Sequence, residues 1–156
     1  MYEKELQRIL TASQNNALTF FVGAGVSALS GAPTWKGLIH AISDRLGQAR
    51  KDEYSSDEYL QIPQMFYYSL GENKEEYYTF VKAQLHSSPM LPNVIHREML
   101  NLNPVSFITT NYDTLLEDAA VQYCQSFKVV SRDEDVPTIF GDRFILKLHG
   151  DFKHNN

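Results

Sequence analysis

Short apolar runs alternate with amphipathic segments along the chain. Four runs have the apolar and β-branched composition of strands, namely Leu18–Val22, Val105–Thr109, Phe127–Val130 and Phe144–Leu148. The first shows no polar face, which is typical of a parallel strand covered on both sides. Strands that are separated by helices indicate an α/β fold with a mostly parallel sheet.

The segments between these runs repeat apolar residues at three- and four-residue steps, which predicts helices. We expect helices at about 2–10, 35–46, 63–70, 73–85, 92–100 and 114–123. Residues 48–62 are polar and predict a loop, so that Pro63 begins a helix. The charged run 132–135 predicts a solvated loop. The helices between the first two strands exceed a simple crossover, so we expect a Rossmann-like domain over 1–156 with a helical insertion at about 48–101.

Polar residues follow three of the predicted strands. GAGVSA (Gly23 to Ala28) follows the first run, Thr110-Asn111-Tyr112-Asp113 follows the second, and His149-Gly150-Asp151 follows the last. Ligands bind open α/β sheets beyond the carboxyl ends of the strands. The three motifs are therefore expected to share one edge of the sheet.

The first motif fits G-x-G-x-x-G/A through Gly23, Gly25 and Ala28. Glycines permit a tight turn and a close approach to the backbone, and a following helix N-terminus offers N–H groups to a phosphate. A purely structural turn explains the same residues, so both interpretations stay open.

The other two motifs also allow two interpretations. Asn111 or Asp113 can cap the following helix, or Asn111 can orient ribose hydroxyls or a water molecule. His149 is either a structural residue or a general base, a role worth ~10²–10⁴ in rate. The other histidines, at positions 40, 86, 96 and 154, are expected to lie on the surface or to pack.

Composition narrows the classes of partner. The net charge of −5 gives no basic surface for nucleic acid, and the apolar runs are shorter than a membrane helix. The charged, amphipathic N-terminus is no signal peptide. The single cysteine, Cys124, excludes an intrachain disulfide and a multi-cysteine metal site. We therefore expect a cytoplasmic protein that uses no metal.

Taken together and in this order, the motifs resemble the sirtuin superfamily. GAGVSALSGAPTW resembles the sirtuin GAG-x-S-x-x-SG-x-P signature, TTNYD resembles T-Q-N-x-D, and LHG resembles the catalytic histidine motif. Pro92-Asn93 with His96 is similar to a weaker P-N-x-x-H segment. The resemblance spans about residues 18–151.

The resemblance implies that NAD is the ligand and the substrate. It places Asn111 at the nicotinamide ribose or an attacking water molecule, and it makes His149 the general base. It also implies a contact between Asp113 and the nicotinamide carboxamide. It also implies that four residues of the first motif line the pyrophosphate and ribose of NAD, namely Gly23, Ala24, Gly25 and Ser27. Thr110, which follows the second predicted strand, is implied to bind NAD as well.

The departures from the family pattern shift the expected activity. Thr34-Trp35-Lys36 replaces the Asp-Phe-Arg of deacylating sirtuins, Thr110 replaces a glutamine, and the four-cysteine zinc module is missing. The chain looks most like the sirtuin-like domains of bacterial antiphage defence proteins, which hydrolyse NAD. The alternatives are an NAD-dependent protein deacylase and a non-catalytic module that senses NAD or ADP-ribose.

The same resemblance implies that further strands and a further region accompany this domain. The expected sheet is incomplete, because the later strands that bind the adenosine half of NAD in sirtuins are missing. We therefore expect the chain to be the N-terminal part of a longer protein. A following sensor or effector region, or assembly with further copies of the chain, is the expected partner.

Overall fold

A computed structural model describes residues 2–85 and 89–151, and over these ranges it contains seven α-helices, one 3-10 helix and four strands. The helices are α1 (Glu3–Gln14), α2 (Ala24–Ala28), α3 (Trp35–Arg45), α4 (Ser56–Ser69), α5 (Lys74–Leu85), α6 (Val94–Asn101) and α7 (Leu115–Gln122). The strands are β1 (Thr19–Val22), β2 (Ser106–Thr109), β3 (Lys128–Val130) and β4 (Phe144–Lys147), and the 3-10 helix spans Asp133–Thr138. None of the described helices is long and apolar enough to span a bilayer.

The chain divides into two compact units. The first consists of Met1–Ser30 and Met90–Asn156 and contains the sheet with α1, α2, α6 and α7. The second, Gly31–Pro89, contains α3, α4 and α5. The helical insertion at about 48–101 stays a prediction.

The four strands form one parallel sheet in the order β1-β2-β4-β3. This confirms the predicted Rossmann-like α/β fold. Val22 pairs with Thr109, and Thr109 pairs with Lys147, so the last residues of β1, β2 and β4 form one row. The chain therefore leaves these three strands at the same edge of the sheet.

One face of the sheet carries the core of the first unit. Phe107 of β2 and Ile145 of β4 are fully buried and pack with Leu100 of α6 and Ala119 of α7. The Phe107 ring lies 5.7 Å from the ring of Phe20 and 5.4 Å from that of Phe127. Helices α6 and α7 thus cover the face on which Thr109 and Lys147 also lie, because side chains two residues apart in a strand share a face.

Strand β1 differs from the expectation of a strand covered on both sides. Val22 is buried, but Phe21 is 68% exposed. The strand lies at the edge of the sheet with β2 as its neighbour. Its apolar run therefore alternates between a buried and an exposed face within the described part of the chain.

The polar loop predicted at 48–62 is wrong in its second half. Helix α4 begins after Ser55, whose side chain accepts the Glu58 N–H, while the Glu58 carboxylate accepts the Ser55 N–H. This capping box starts the helix well before Pro63, which lies inside it. The reciprocal cap outweighs the start signal that the proline gives.

The charged run after β3 is also more ordered than a loop. Asp133–Thr138 forms an exposed 3-10 helix, and the Asp135 carboxylate accepts the N–H groups of Ser131 and Arg132. The expectation of a solvated segment holds, because none of its residues is buried.

Truncation of the central ring of the core tests this packing. We expect Phe107→Ala to lower the free energy of unfolding by about 3–5 kcal/mol, because the surroundings of a buried phenylalanine collapse only partly into the cavity. Denaturant unfolding followed by circular dichroism measures the change. The matched control is Phe140→Ala, since Phe140 is 90% exposed, and it is expected to change stability by less than about 0.5 kcal/mol. Equal effects of the two substitutions would contradict the described core.

Candidate functional site

Three of the predicted site residues form one chain of hydrogen bonds at the shared edge of the sheet. The Nδ2 of Asn111 donates to the Ser27 Oγ over 3.0 Å, and the Ser27 hydroxyl donates to the Asp113 Oδ2 over 2.7 Å. Ser27 and Asn111 are buried, and Asp113 is half-buried. Side-chain contacts therefore join the loop after β1 to the loop after β2.

Thr109 fixes the point at which the second loop begins. Its Oγ1 donates to the Val22 carbonyl over 2.9 Å and accepts the Asn111 N–H over 3.0 Å. The same hydroxyl thus holds the end of β1 and the backbone of Asn111. Thr110, between Thr109 and Asn111, is half-buried.

Asp113, rather than Asn111, caps the following helix, and it also bonds to Ser27. Its Oδ1 accepts the Leu115 N–H at the start of α7 over 3.1 Å, which is a capping bond, while its Oδ2 accepts the Ser27 hydroxyl. Asn111 makes no capping bond among the described residues, and its side chain turns to Ser27 instead. A role of either residue in ligand binding stays a prediction.

The two glycines of the first loop face open space. Gly23 precedes α2 in an extended conformation, with φ −112° and ψ 179°, and Gly25 lies within that helix. Apart from the adjacent residues and the backbone of α2 itself, no described atom lies within 4 Å of a Cβ added at either position. Packing against the described chain therefore does not require glycine at these positions. Ala24, between them, is exposed.

His149 lies beyond the end of β4, in an exposed turn. Its imidazole stacks on the ring of Tyr112 with 6.1 Å between the ring centres and an angle of 24° between the planes. Tyr112 lies between Asn111 and Asp113 in the neighbouring loop. The structure thus brings His149 next to the TNYD motif, although no hydrogen bond among the described residues joins it to Asn111.

His96 occupies a structural position that the sequence analysis described only as surface or packing. It is 1% exposed, and its Nδ1 accepts the Asn93 N–H over 3.2 Å. Burial lowers the pKa of His96, and the nearby Asp113 carboxylate opposes this effect. The signal in the sequence is the spacing of Asn93 and His96, which is that of a capping box. His86 and His154 lie outside the described residues, and the half-buried His40 contacts the Lys51 carbonyl through Nε2.

Asn93 connects the start of α6 to the first loop. Its Nδ2 donates to the Val26 carbonyl and to the Ser30 Oγ, both over 2.8 Å, and its Oδ1 accepts the Ile95 N–H over 2.9 Å. The P-N-x-x-H segment therefore supports the loop that carries Ser27.

Lys147 is a second residue whose place the sequence analysis did not identify. Its side chain is fully buried, and its Nζ donates to the Asp113 carbonyl over 2.7 Å and to the Glu117 Oε1 over 2.9 Å. The signal in the sequence is a lysine two positions after Ile145 in an apolar strand. Side chains two residues apart in a strand lie on the same face, so Lys147 shares the buried face with Ile145.

The part of the chain that the structure describes contains no group of three or more His, Cys, Asp or Glu side chains that could hold a metal ion. The polar groups at the edge of the sheet instead include amide, hydroxyl and carboxylate groups and one imidazole. They can bind hydroxyl and amide groups of a ligand and can accept a proton.

The chain is similar to known proteins over most of its length. Residues 105–156 match a SIR2-like domain family. Defense-associated sirtuin 2 of Bacillus subtilis is 41% identical over 149 residues, which cover 95% of this chain and 14% of that protein. NAD(+) hydrolase ThsA of Cytobacillus dafuensis is 26% identical over 150 residues, or 95% of this chain and 29% of the hydrolase.

Another relative is named as a protein deacetylase rather than as a defence protein or an NAD(+) hydrolase. An NAD-dependent protein deacetylase of Staphylococcus epidermidis is 32% identical over 127 residues, which cover 76% of this chain and 47% of the deacetylase. This chain thus matches less than half the length of each of these three relatives. The predicted resemblance to the sirtuin superfamily, and to its defence-associated members, is confirmed.

The burial of His96 predicts a pH dependence of stability. Below pH ~6.5 the unfolded chain binds a proton at His96, whereas the folded chain resists it because its pKa is lower. Stability that is fully present above pH ~6.5 is therefore lost as the pH falls towards the lowered pKa, by at most about 1.4 kcal/mol per pH unit.

His96→Asn tests this prediction, because an asparagine Oδ1 can replace Nδ1 as the acceptor for the Asn93 N–H. Urea unfolding of both proteins at intervals between pH 5 and pH 8 measures the slope. The variant is expected to lose less stability on acidification than the unaltered protein. Parallel pH profiles would show that His96 does not resist protonation in the fold.

Proposed function

This chain is sirtuin-like, and from that premise we propose that it is an NAD glycohydrolase domain that cleaves the bond between nicotinamide and ribose. The observation that carries the proposal is the hydrogen-bonded chain Asn111–Ser27–Asp113, which joins the glycine loop to the TNYD loop. His149 lies beside the same loop through its stacking on Tyr112. The names of two relatives, a defence-associated sirtuin and an NAD(+) hydrolase, support this activity.

The glycine loop is suited to the pyrophosphate and ribose of NAD. The open space beside Gly23 and Gly25 allows a ligand to approach the bare backbone. Ala24, Ser27 and Thr110 complete the proposed contact surface. A side chain at either glycine would fill the space that the ligand requires.

The side-chain oxygens of Asn111 and Asp113 can still accept hydrogen bonds from the nicotinamide half of NAD. The side-chain hydrogen bond to Ser27 uses the Nδ2 of Asn111, so its Oδ1 can accept a hydrogen bond from a ribose hydroxyl or a water molecule. An ionised carboxylate has about four acceptor positions. Asp113 can therefore accept the carboxamide N–H in addition to the Ser27 hydroxyl and the Leu115 N–H.

Hydrolysis needs one water molecule and one proton acceptor. As the bond between ribose C1′ and the nicotinamide nitrogen breaks, its electron pair moves to that nitrogen and positive charge develops on the ribose, similar in kind to glycoside hydrolysis. The water oxygen bonds to C1′, and its proton passes to the imidazole of His149. The products are nicotinamide, ADP-ribose and the proton, which His149 later releases to solvent.

Depletion of NAD is the biological consequence that we propose. The relative named as a defence-associated sirtuin covers 95% of this chain, so we assign this chain to antiphage defence through NAD consumption. The domain acts with a further sensor or effector region or as an assembly of several copies. Its location is the cytoplasm, where NAD is available.

Substitution of the two proposed catalytic residues tests the activity. The purified protein, in the longest natural form that contains this chain, is incubated with NAD while nicotinamide release is followed. We expect His149→Ala and Asn111→Ala each to reduce turnover by about 10²-fold or more, since a general base contributes ~10²–10⁴. His40→Ala and Asn101→Ala are the controls of matched residue type, and turnover is expected to stay within twofold. Undiminished turnover in both test variants would contradict the assigned roles.

The deacetylase relatives favour protein deacylation as a second candidate function. An acylated peptide added to the same assay separates the two, because deacylation releases O-acyl-ADP-ribose whereas hydrolysis releases ADP-ribose. Tight binding of NAD in calorimetry without either product would instead indicate a sensing module. Cyclic ADP-ribose as the product would indicate cyclisation in place of hydrolysis.

Gly25→Ala separates ligand approach from folding. Alanine inside α2 is expected to leave stability unchanged or to raise it by about 0.5–1 kcal/mol, because no described atom opposes the new Cβ. We expect NAD turnover to fall at least tenfold, since the methyl group occupies the space proposed for the ligand. Gly37→Ala in α3, whose Cβ would meet the Thr34 Oγ1 at 3.5 Å, is the control. Unimpaired turnover in Gly25→Ala would exclude a close contact there.

A further inference from the structure

Lys147 places a buried ammonium group directly beneath the TNYD loop. Its side chain is fully buried, and its Nζ lies 2.7 Å from the Asp113 carbonyl, 2.9 Å from the Glu117 Oε1 and 3.4 Å from the Tyr112 carbonyl. An ammonium group has three donor positions. All three acceptors lie between residues 112 and 117, in one continuous segment.

Burial of this charge needs a reason beyond packing. Removing an ammonium group from water is costly, and an apolar side chain fills a buried strand position without that cost. Ile145 does so two residues earlier, on the same face of β4. A methionine at 147 would fill similar space but could not donate to the two carbonyl groups. The ammonium group therefore bonds to the backbone of the loop in addition to filling the core.

The loop that Lys147 holds carries the groups of the proposed reaction. Asn111 and Asp113 reach the Ser27 hydroxyl from this loop, and the ring of Tyr112 stacks on the imidazole of His149. Lys147 itself lies two residues before His149 in the chain. One ammonium group thus ties the segment with Asn111 and Asp113 to the strand that leads to the proposed general base.

We propose that Lys147 is a positioning residue that sets the place of His149 relative to Asn111 and Asp113. This inference rests on the proposed NAD hydrolysis. Lys147 touches no reacting atom in it and acts through the carbonyl groups of the loop. Glu117 balances the buried charge from the first turn of α7.

The double variant Lys147→Met/Glu117→Gln tests the proposal. The methionine retains the length of the side chain, and the glutamine avoids leaving an unpaired, partly buried carboxylate. We expect kcat for NAD to fall about 10- to 100-fold, because misplacement by ~1 Å can cost 10²-fold, while KM changes less than threefold. Amide hydrogen exchange at Asn111 and Asp113 is expected to become at least tenfold faster relative to that of β1.

The matched control is Lys128→Met/Asp142→Asn, which removes an ion pair at the start of the neighbouring strand β3. Its two side chains are about half exposed, and the Nζ–Oδ2 distance is 2.6 Å. We expect kcat and the exchange of the loop amides to stay within twofold. Unchanged kcat and exchange in the Lys147 double variant would overturn the proposal. An equal increase of exchange in the loop and in β1 would also overturn it, because it would indicate a purely stabilising role.

A measurement on the unaltered protein tests the hydrogen bonds of the Lys147 ammonium group, on which the proposal depends, even if the double variant does not fold. The ¹⁵N-labelled lysine ammonium protons are observed by NMR, and those of Lys147 are expected to exchange with water at least tenfold more slowly than those of Lys128. Equal exchange would overturn the proposal. Neither exchange measurement depends on catalysis. A protein that leaves NAD intact would therefore contradict the proposed function alone. The two exchange measurements would still show whether Lys147 holds the loop.

Discussion

The Ser27 hydroxyl group orients the candidate site, because it donates one hydrogen bond and accepts another. Its single proton points to the Asp113 carboxylate, which in its ionised form can only accept. The lone pairs of the hydroxyl oxygen are then left for the Asn111 amide, whose Nδ2 must face Ser27. The Oδ1 of Asn111 is therefore directed away from Ser27. A single shared hydroxyl thus couples the orientations of two side chains on another loop.

This side-chain network depends on the parallel register beneath it. Val22, Thr109 and Lys147 form one row at the strand ends, and the Thr109 hydroxyl bonds both to the Val22 carbonyl and to the Asn111 N–H. A shift of one residue in any strand would turn the inward side chains of that strand to the opposite face. The parallel register therefore aligns the ends of the three strands, and the hydrogen bonds between the polar side chains set the orientation of each side-chain group.

The sequence predicts the parts of this arrangement that follow from local pattern. The four apolar runs identify the strands, and the polar motifs after Val22, Thr109 and Leu148 indicate the edge at which the candidate site lies, since strands in a parallel sheet end on the same side. Pattern alone does not predict the start of α4, because the Ser55–Glu58 cap competes with the signal of Pro63.

Local pattern also does not reveal contacts between residues that are distant in the chain. Ser27 and Asn111 are 84 residues apart, and Lys147 and Asp113 are 34 residues apart. His96 was expected on the surface or in packing because its partner Asn93 was considered only as part of a family resemblance. A buried charge such as Lys147 is visible in the sequence only as one lysine in an apolar strand. Its function depends on which loop the fold brings above it.

The central claim is that the loops after β1, β2 and β4 line one pocket for a dinucleotide. The most direct measurement is an NMR titration of the labelled protein with ADP-ribose, in which backbone amide signals and the histidine ring signals are followed. The account predicts that signals from residues 23–27, residues 110–113 and His149 shift together with one common dissociation constant. Shifts in only one of these three segments, or shifts confined to α1 or to the second unit, would contradict it.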